Sequence, residues 1–203
     1  MFGLKPPQSI FVHADGFLKA TISLNKSPDH PQFDPFTFAA LVTNSAFASE
    51  LYLKCLIQIE TGQMIKHEHN LYTLFRKLPG KTQQEIEELF NTELAKQVKH
   101  DVNRAPADAQ KAIADRPTAF RQILRVGGQA FVEWRYLYEA DNTAPFGLFP
   151  LPEILRKVIL IRKPEWANFG FTVRRLDSPV PTSPAQKTPA QGAPDDRQYG
   201  GNQ

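Results

Sequence analysis

Apolar residues along this chain recur every three or four positions, with no long run of strict alternation. That period places one face of a helix against a core. The longest such stretch covers about residues 36–59, where Phe38, Leu41, Val42, Ser45, Ser49, Leu53 and Leu56 keep helical spacing. Its middle is apolar on nearly every side, which predicts a helix at the centre of a bundle. Gly62 stands where that helix should stop, since glycine tolerates the left-handed backbone that closes a last turn. Upstream, residues 9–24 read as a helix, separated from the central one by the three prolines of "SPDHPQFDP".

Downstream the pattern predicts a short helix over 70–78, buried along Leu71, Leu74, Phe75 and Leu78 and ended by Pro79-Gly80. Thr82 followed by Glu85 has the form of a capping box, and opens a helix to about residue 98 through Ile86, Leu89, Phe90 and Leu94. Residues 101–116 carry no decisive pattern. Pro117 then precedes Phe120, Ile123, Leu124, Gly127, Phe131, Trp134 and Tyr138, which predict one helix over 118–140. Gly127-Gly128 would each cost about 1 kcal/mol inside it, a cost that close approach of another helix would justify. A last helix is expected over 152–161, and residues 168–173 read as a short extended segment. No Gly-rich nucleotide loop follows a strand, and no repeat recurs at a fixed period. The expected fold is all-α, a single antiparallel helical bundle.

Composition adds a boundary. The 203 residues are 41% hydrophobic and 22% charged, enough for one domain with a real core. From residue 177 onward the composition changes to five prolines with almost no large aliphatics. Such a segment buries too little apolar surface to offset its ordering entropy. The expected organisation is a helical domain over 1–176 and a disordered Pro-rich tail over 177–203. A net charge of +3 and a pI near 9.0 permit nucleic-acid contact without requiring it. The one cysteine, Cys55, excludes a disulfide within the chain, reads as a packed thiol and fits a reduced, cytoplasmic setting. The first residues lack the form of a signal peptide, and no window reaches about 18 uninterrupted apolar residues, so no membrane span is expected.

Glu50 and Lys54 are the charged residues that change the picture. Four apart on one face, with Glu on the N-terminal side, they suit a helical ion pair. Within an apolar helix two readings stand: a partly exposed structural pair, or a face lining a polar groove between helices. His67 and His69 flank Glu68, but no cysteine or third histidine completes a metal set, so no metal or other cofactor is expected. His69 or Asn70 suits the cap of the short helix. His13, His30 and His100 are isolated. Arg121 and Arg125 share a helical face, and with Arg156-Lys157, Arg162-Lys163 and Arg174-Arg175 they either track a phosphate backbone or form solvated faces. Arg135, between Trp134 and Tyr136 and four residues before Glu139, fits packing on aromatics with an ion pair, or a ligand contact.

The stretch "FASELYLKCLIQIETG" followed by "KHEHNLYTLFRKLP" resembles the HEPN superfamily (higher eukaryotes and prokaryotes nucleotide-binding). The resemblance rests on a long helix of the form E-x-x-x-K-x-L, here Glu50, Lys54 and Leu56, and a His-x-Leu element opening the next helix, here His69 and Leu71. It extends more weakly to "FVEWRYLYEADN". It implies an antiparallel helical bundle, often dimeric. Many members are RNases of toxin–antitoxin, phage-defence or RNA-processing systems, with an arginine, four to six intervening residues and then a histidine on a late helix. This chain departs from that motif: six residues intervene between Arg135 and Asn142, which fills the place of the histidine, and an amide is no general acid or base near neutral pH. The expectation is a HEPN-like protein that binds RNA or a nucleotide, in a bacterial defence or toxin–antitoxin setting, with a degenerate RNase motif. Its implied ligand residues are Glu50, Lys54, His69 and Arg135, and its partners a second copy and a cognate protein. The alternative is a non-catalytic dimerisation or protein-interaction module.

Overall fold

The computed structural model describes residues 6–25, 35–104, 106–114, 119–129, 134, 148 and 150–169. They lie in the compact unit Met1–Phe171, and the second unit, Thr172–Gln203, is outside the described residues, as is the tail expected over 177–203. Among the described residues every regular element is helical: α1 (Gln8–Asn25), α2 (Pro35–Thr61), α3 (Leu71–Arg76), α4 (Gly80–Arg104), α5 (Ala107–Ala114), α6 (Phe120–Val126) and α7 (Leu151–Arg162). Single 3-10 turns follow at Gly127–Gln129 and Pro164–Phe169. The fold is an all-α helical bundle.

α2 is its spine. Because its sequence is apolar almost all round, it buries Val42, Ala46, Tyr52, Leu53, Leu56 and Ile57 in different directions at once. α1 lies antiparallel against one flank: Phe11 meets Tyr52 at 5.8 Å between ring centroids, and Phe17 meets Phe47 at 4.5 Å. α7 covers another flank with Leu155, Val158 and Ile159. α3, α4 and α6 close the remaining side around three rings, Phe120 lying 5.2 Å from Phe75 and 4.7 Å from Phe90. Each such side chain, fully buried, contributes about 1.5–3 kcal/mol. Cys55 is packed in this core, where burial pushes its thiol up to about 12.

α2 ends at Gly62, whose φ of +74° is the left-handed conformation glycine adopts without a steric penalty; its N–H bonds the Gln58 carbonyl at 3.1 Å. Asn70 caps α3, its side-chain oxygen accepting from the Thr73 N–H at 2.9 Å.

Three local expectations are overturned. Thr82 and Glu85 form no capping box, because α4 already begins at Gly80 and both side chains turn to other helices. Of the helix expected across 118–140, Phe120–Val126 is α-helical and Gly127–Gln129 tightens into a 3-10 turn, while beyond it only Trp134, helical, is among the described residues. Gly128 lies close to the cap of α3: a Cβ there would sit 3.2 Å from the amide of Asn70. Of the extended segment expected over 168–173, Asn168 and Phe169 instead belong to the helical turn Pro164–Phe169, which buries Trp166 against Phe11 at 5.4 Å, and residues 170–173 lie outside the described residues.

Candidate functional site

Glu50 projects from the middle of α2 toward the loop that leads into α3. Its carboxylate accepts from the Lys54 ammonium at 2.7 Å and faces the His69 Nδ1 at 3.1 and 3.2 Å. The pair is not partly exposed, as one reading of the sequence had it: Glu50 is 1% and the Lys54 side chain 10% accessible, while His69 is 48% accessible. Lys54 also reaches the Lys66 carbonyl at 3.4 Å. The loop is held from within as well, since one Glu68 oxygen accepts from the N–H groups of both His69 and Asn70, at 3.0 and 2.8 Å. A carboxylate can only accept, so Glu50 fixes the His69 proton on Nδ1 and orients the ring. Chemically this is a buried ion pair with an imidazole at its solvent edge. It bolts the α2–α3 loop to the spine and sets where α3 begins.

On the outer face of α3, Tyr72 and Arg76 stand four residues apart, opposite the buried stripe of Leu71, Leu74 and Phe75. α6 lies beside it. The Arg125 guanidinium sits 5.1 Å from the centre of the Tyr72 ring and donates to its hydroxyl at 3.1 Å. Arg121 is held by Glu87 at 2.9 Å and lies 5.7 Å from the centre of the Phe75 ring. The hydrogen bond from Arg125, helped by the charges of Arg125, Arg76 and Arg121, lowers the Tyr72 pKa below its ordinary value. These side chains make a surface strip of three guanidinium groups around one phenol.

Arg156 and Arg162 serve inside the bundle. Arg156 is engaged by Asp15 through Nε at 2.9 Å and Nη2 at 3.3 Å, and the Tyr52 hydroxyl donates to the same carboxylate at 2.5 Å. Burial works against the Arg156 charge, but the Asp15 hydrogen bond and charge outweigh it, so the pKa rises. Burial, then the bond to Asp15, drives the Tyr52 phenol well above its ordinary range. Arg162 ties three helices together: Nε to Glu60, Nη2 to Glu85 at 2.7 Å and to Thr82 at 3.2 Å, and Nη1 to the Val158 carbonyl at 3.1 Å. Arg156 and Arg162 are therefore spent on contacts within the bundle, and Arg174 and Arg175 lie outside the described residues.

Of the residues singled out from the sequence, Glu50, Lys54 and His69 come together. Arg135 and Asn142 lie outside the described residues. Trp134, half-buried, packs edge-on against Phe38 at 5.2 Å. Tyr72 and Arg76 were missed, although their i, i+4 spacing on the side away from the leucine stripe was a readable signal. Among the described residues no group of three or more His, Cys, Asp or Glu is placed to hold a metal ion, and no helix is long and apolar enough to cross a membrane. Comparison with protein-family models, with curated proteins and with solved structures finds no match to this chain.

Proposed function

We propose that this chain is a HEPN-like protein that binds RNA or a nucleotide, holding phosphate groups on the strip formed by Tyr72, Arg76, Arg121 and Arg125. The observation that carries the reading is Arg125 laid over Tyr72 beside two further arginines on an exposed face. Guanidinium groups suit phosphate through their fork of N–H donors, and an aromatic ring offers a face to a base or a second cation. Two of the arginines are held in place beforehand, Arg121 by Glu87 and Arg125 by Tyr72, so less side-chain freedom is lost on binding. Glu50, Lys54 and His69 then act as positioning residues, fixing the start of the helix that carries Tyr72 and Arg76. The missing histidine after Arg135 favours binding without cleavage.

A second reading, a dimerisation or protein-interaction module, is favoured by one observation: Glu50 and Lys54 are buried and satisfy each other, so they do not open onto a groove. One experiment separates the two. The purified chain is titrated into labelled single-stranded RNA at low salt with chelator present, and the RNA is run on a denaturing gel. Retention of intact RNA, weakened in Arg125→Ala and Tyr72→Ala, supports the first reading. No retention ends it. Cleavage that vanishes in His69→Ala would make the chain an enzyme and overturn the non-catalytic part.

A further inference from the structure

We propose that the Arg125–Tyr72 pair is a base-stacking platform: a nucleobase lies flat on the outer face of the Arg125 guanidinium while Arg76 and Arg121 hold neighbouring phosphates. This rests on the strip being a phosphate-binding surface, and adds what the strip recognises between the phosphates. One face of the guanidinium is taken, because its Cζ lies over the Tyr72 ring, 5.1 Å from the centre. One N–H of Nη2 is taken as well, donated to the Tyr72 hydroxyl at 3.1 Å. These two contacts restrict the rotation of a long side chain and fix the plane of its head. The residue is nevertheless exposed, so the opposite face and the remaining N–H edge meet water.

A guanidinium carries its N–H donors in one plane and is weakly hydrated on its faces. Edge and face can therefore work at once, the N–H groups toward a phosphate and the flat face under a base. Arg121 and Arg125 are one turn apart on α6, and the rings they cover, Phe75 and Tyr72, are one turn apart on α3. The strip thus advances in steps of about 5.4 Å, short enough for neighbouring phosphates of one strand. Its charge is open: Glu87 holds Arg121, but among the described residues no carboxylate pairs with Arg76 or Arg125. Val126, next to Arg125 at the end of α6, is 47% exposed and leaves apolar surface that a base or sugar can cover. The ligand this selects has base faces to offer, which an unpaired strand does and a duplex does not.

The test measures binding of the full chain, by fluorescence anisotropy at low salt, to three labelled RNAs of equal length: a single strand, an abasic strand with the same phosphates and no bases, and a duplex. Charge alone ranks the duplex first and makes the other two equal. Stacking ranks the single strand first, at least about fivefold tighter than the abasic strand. Arg125→Lys keeps the charge and loses the flat face, so it should bring the single strand down to the level of the abasic one while leaving the salt dependence intact. Arg76→Lys should leave the preference in place. Both positions are exposed, and unchanged circular dichroism shows that the variants fold. Equal binding of the single and abasic strands overturns the proposal, as does tighter binding of the duplex. So does a preference that survives Arg125→Lys, or one that Arg76→Lys removes equally. In each of those cases RNA is still bound, and the phosphate-binding reading stands. Binding of none of the three RNAs overturns that reading and this proposal together.

Discussion

Replacing Glu50 by Ala should remove a large part of the stability margin of the bundle. The carboxylate is the 2.7 Å partner of a Lys54 ammonium whose side chain is only 10% accessible, and the alanine leaves that charge with the Lys66 carbonyl at 3.4 Å. Breaking one side of a buried pair costs about 3–5 kcal/mol, because the remaining ion keeps its desolvation penalty without its counter-charge. A domain of this size has about 5–15 kcal/mol in total, so the loss is a substantial fraction of its stability. The double variant Glu50→Leu/Lys54→Met removes both charges and fills the space; it should recover to within about 1 kcal/mol of the parent. Urea denaturation followed by circular dichroism measures all three chains. Two results would refute the argument: a cost below about 1 kcal/mol for Glu50→Ala, or a double variant no more stable than the single one. Hydrogen exchange supplies a second reading, since Glu50→Ala should also speed exchange of the His69 and Asn70 amides by releasing the loop from α2.

Three further outcomes follow from other parts of the structure. Cys55 and Tyr52 both have folded-state pKa values raised above their ordinary 9.0 and 10.0, so their contribution is fully present below those values and is lost as the pH rises and the unfolded chain ionises instead; urea midpoints should fall steadily above about pH 9, and ultraviolet titration should show Tyr72 ionising well before Tyr52. Flat midpoints up to pH 11 would contradict the burial of both groups. Arg162→Leu strands Glu60, Glu85 and Thr82 together and should cost about 2–4 kcal/mol by thermal denaturation, with Arg162→Lys recovering less than half because one ammonium cannot reach all three partners. Gly128→Ala presses on the Asn70 cap and should cost about 1 kcal/mol in the parent, yet become neutral or stabilising in the Asn70→Ala background, a coupling that a double-mutant cycle reads directly.

How much of this was legible depended on whether the cause was local. α2 could be read because its apolar residues exceed one face, and Gly62 because a helix end favours a residue that accepts positive φ. The 3-10 turn at Gly127 could not, since the apolar period continues across it into Phe131 and Trp134, and the close neighbour of Gly128 is Asn70, far back in the chain. The same rule divides the polar residues. Glu50 and Lys54 announce each other by spacing, whereas His69 joins them only through the closure of the α2–α3 loop. Thr82 and Glu85 satisfy a local capping pattern, but Thr82 turns to Glu60, 22 positions away, and Glu85 to Arg162, 77 positions away. Arg156 read as one of several surface cations because Asp15, which engages it, lies 141 positions away.

The phosphate-binding strip is tested most directly by the salt dependence of RNA affinity. If Arg76, Arg121 and Arg125 each neutralise one phosphate of a single strand, the logarithm of the association constant should fall with the logarithm of salt concentration at a slope of about −2, and each Arg→Ala should flatten it by about 0.7. A slope near zero, or one that the three alanine variants leave unchanged, would contradict the account.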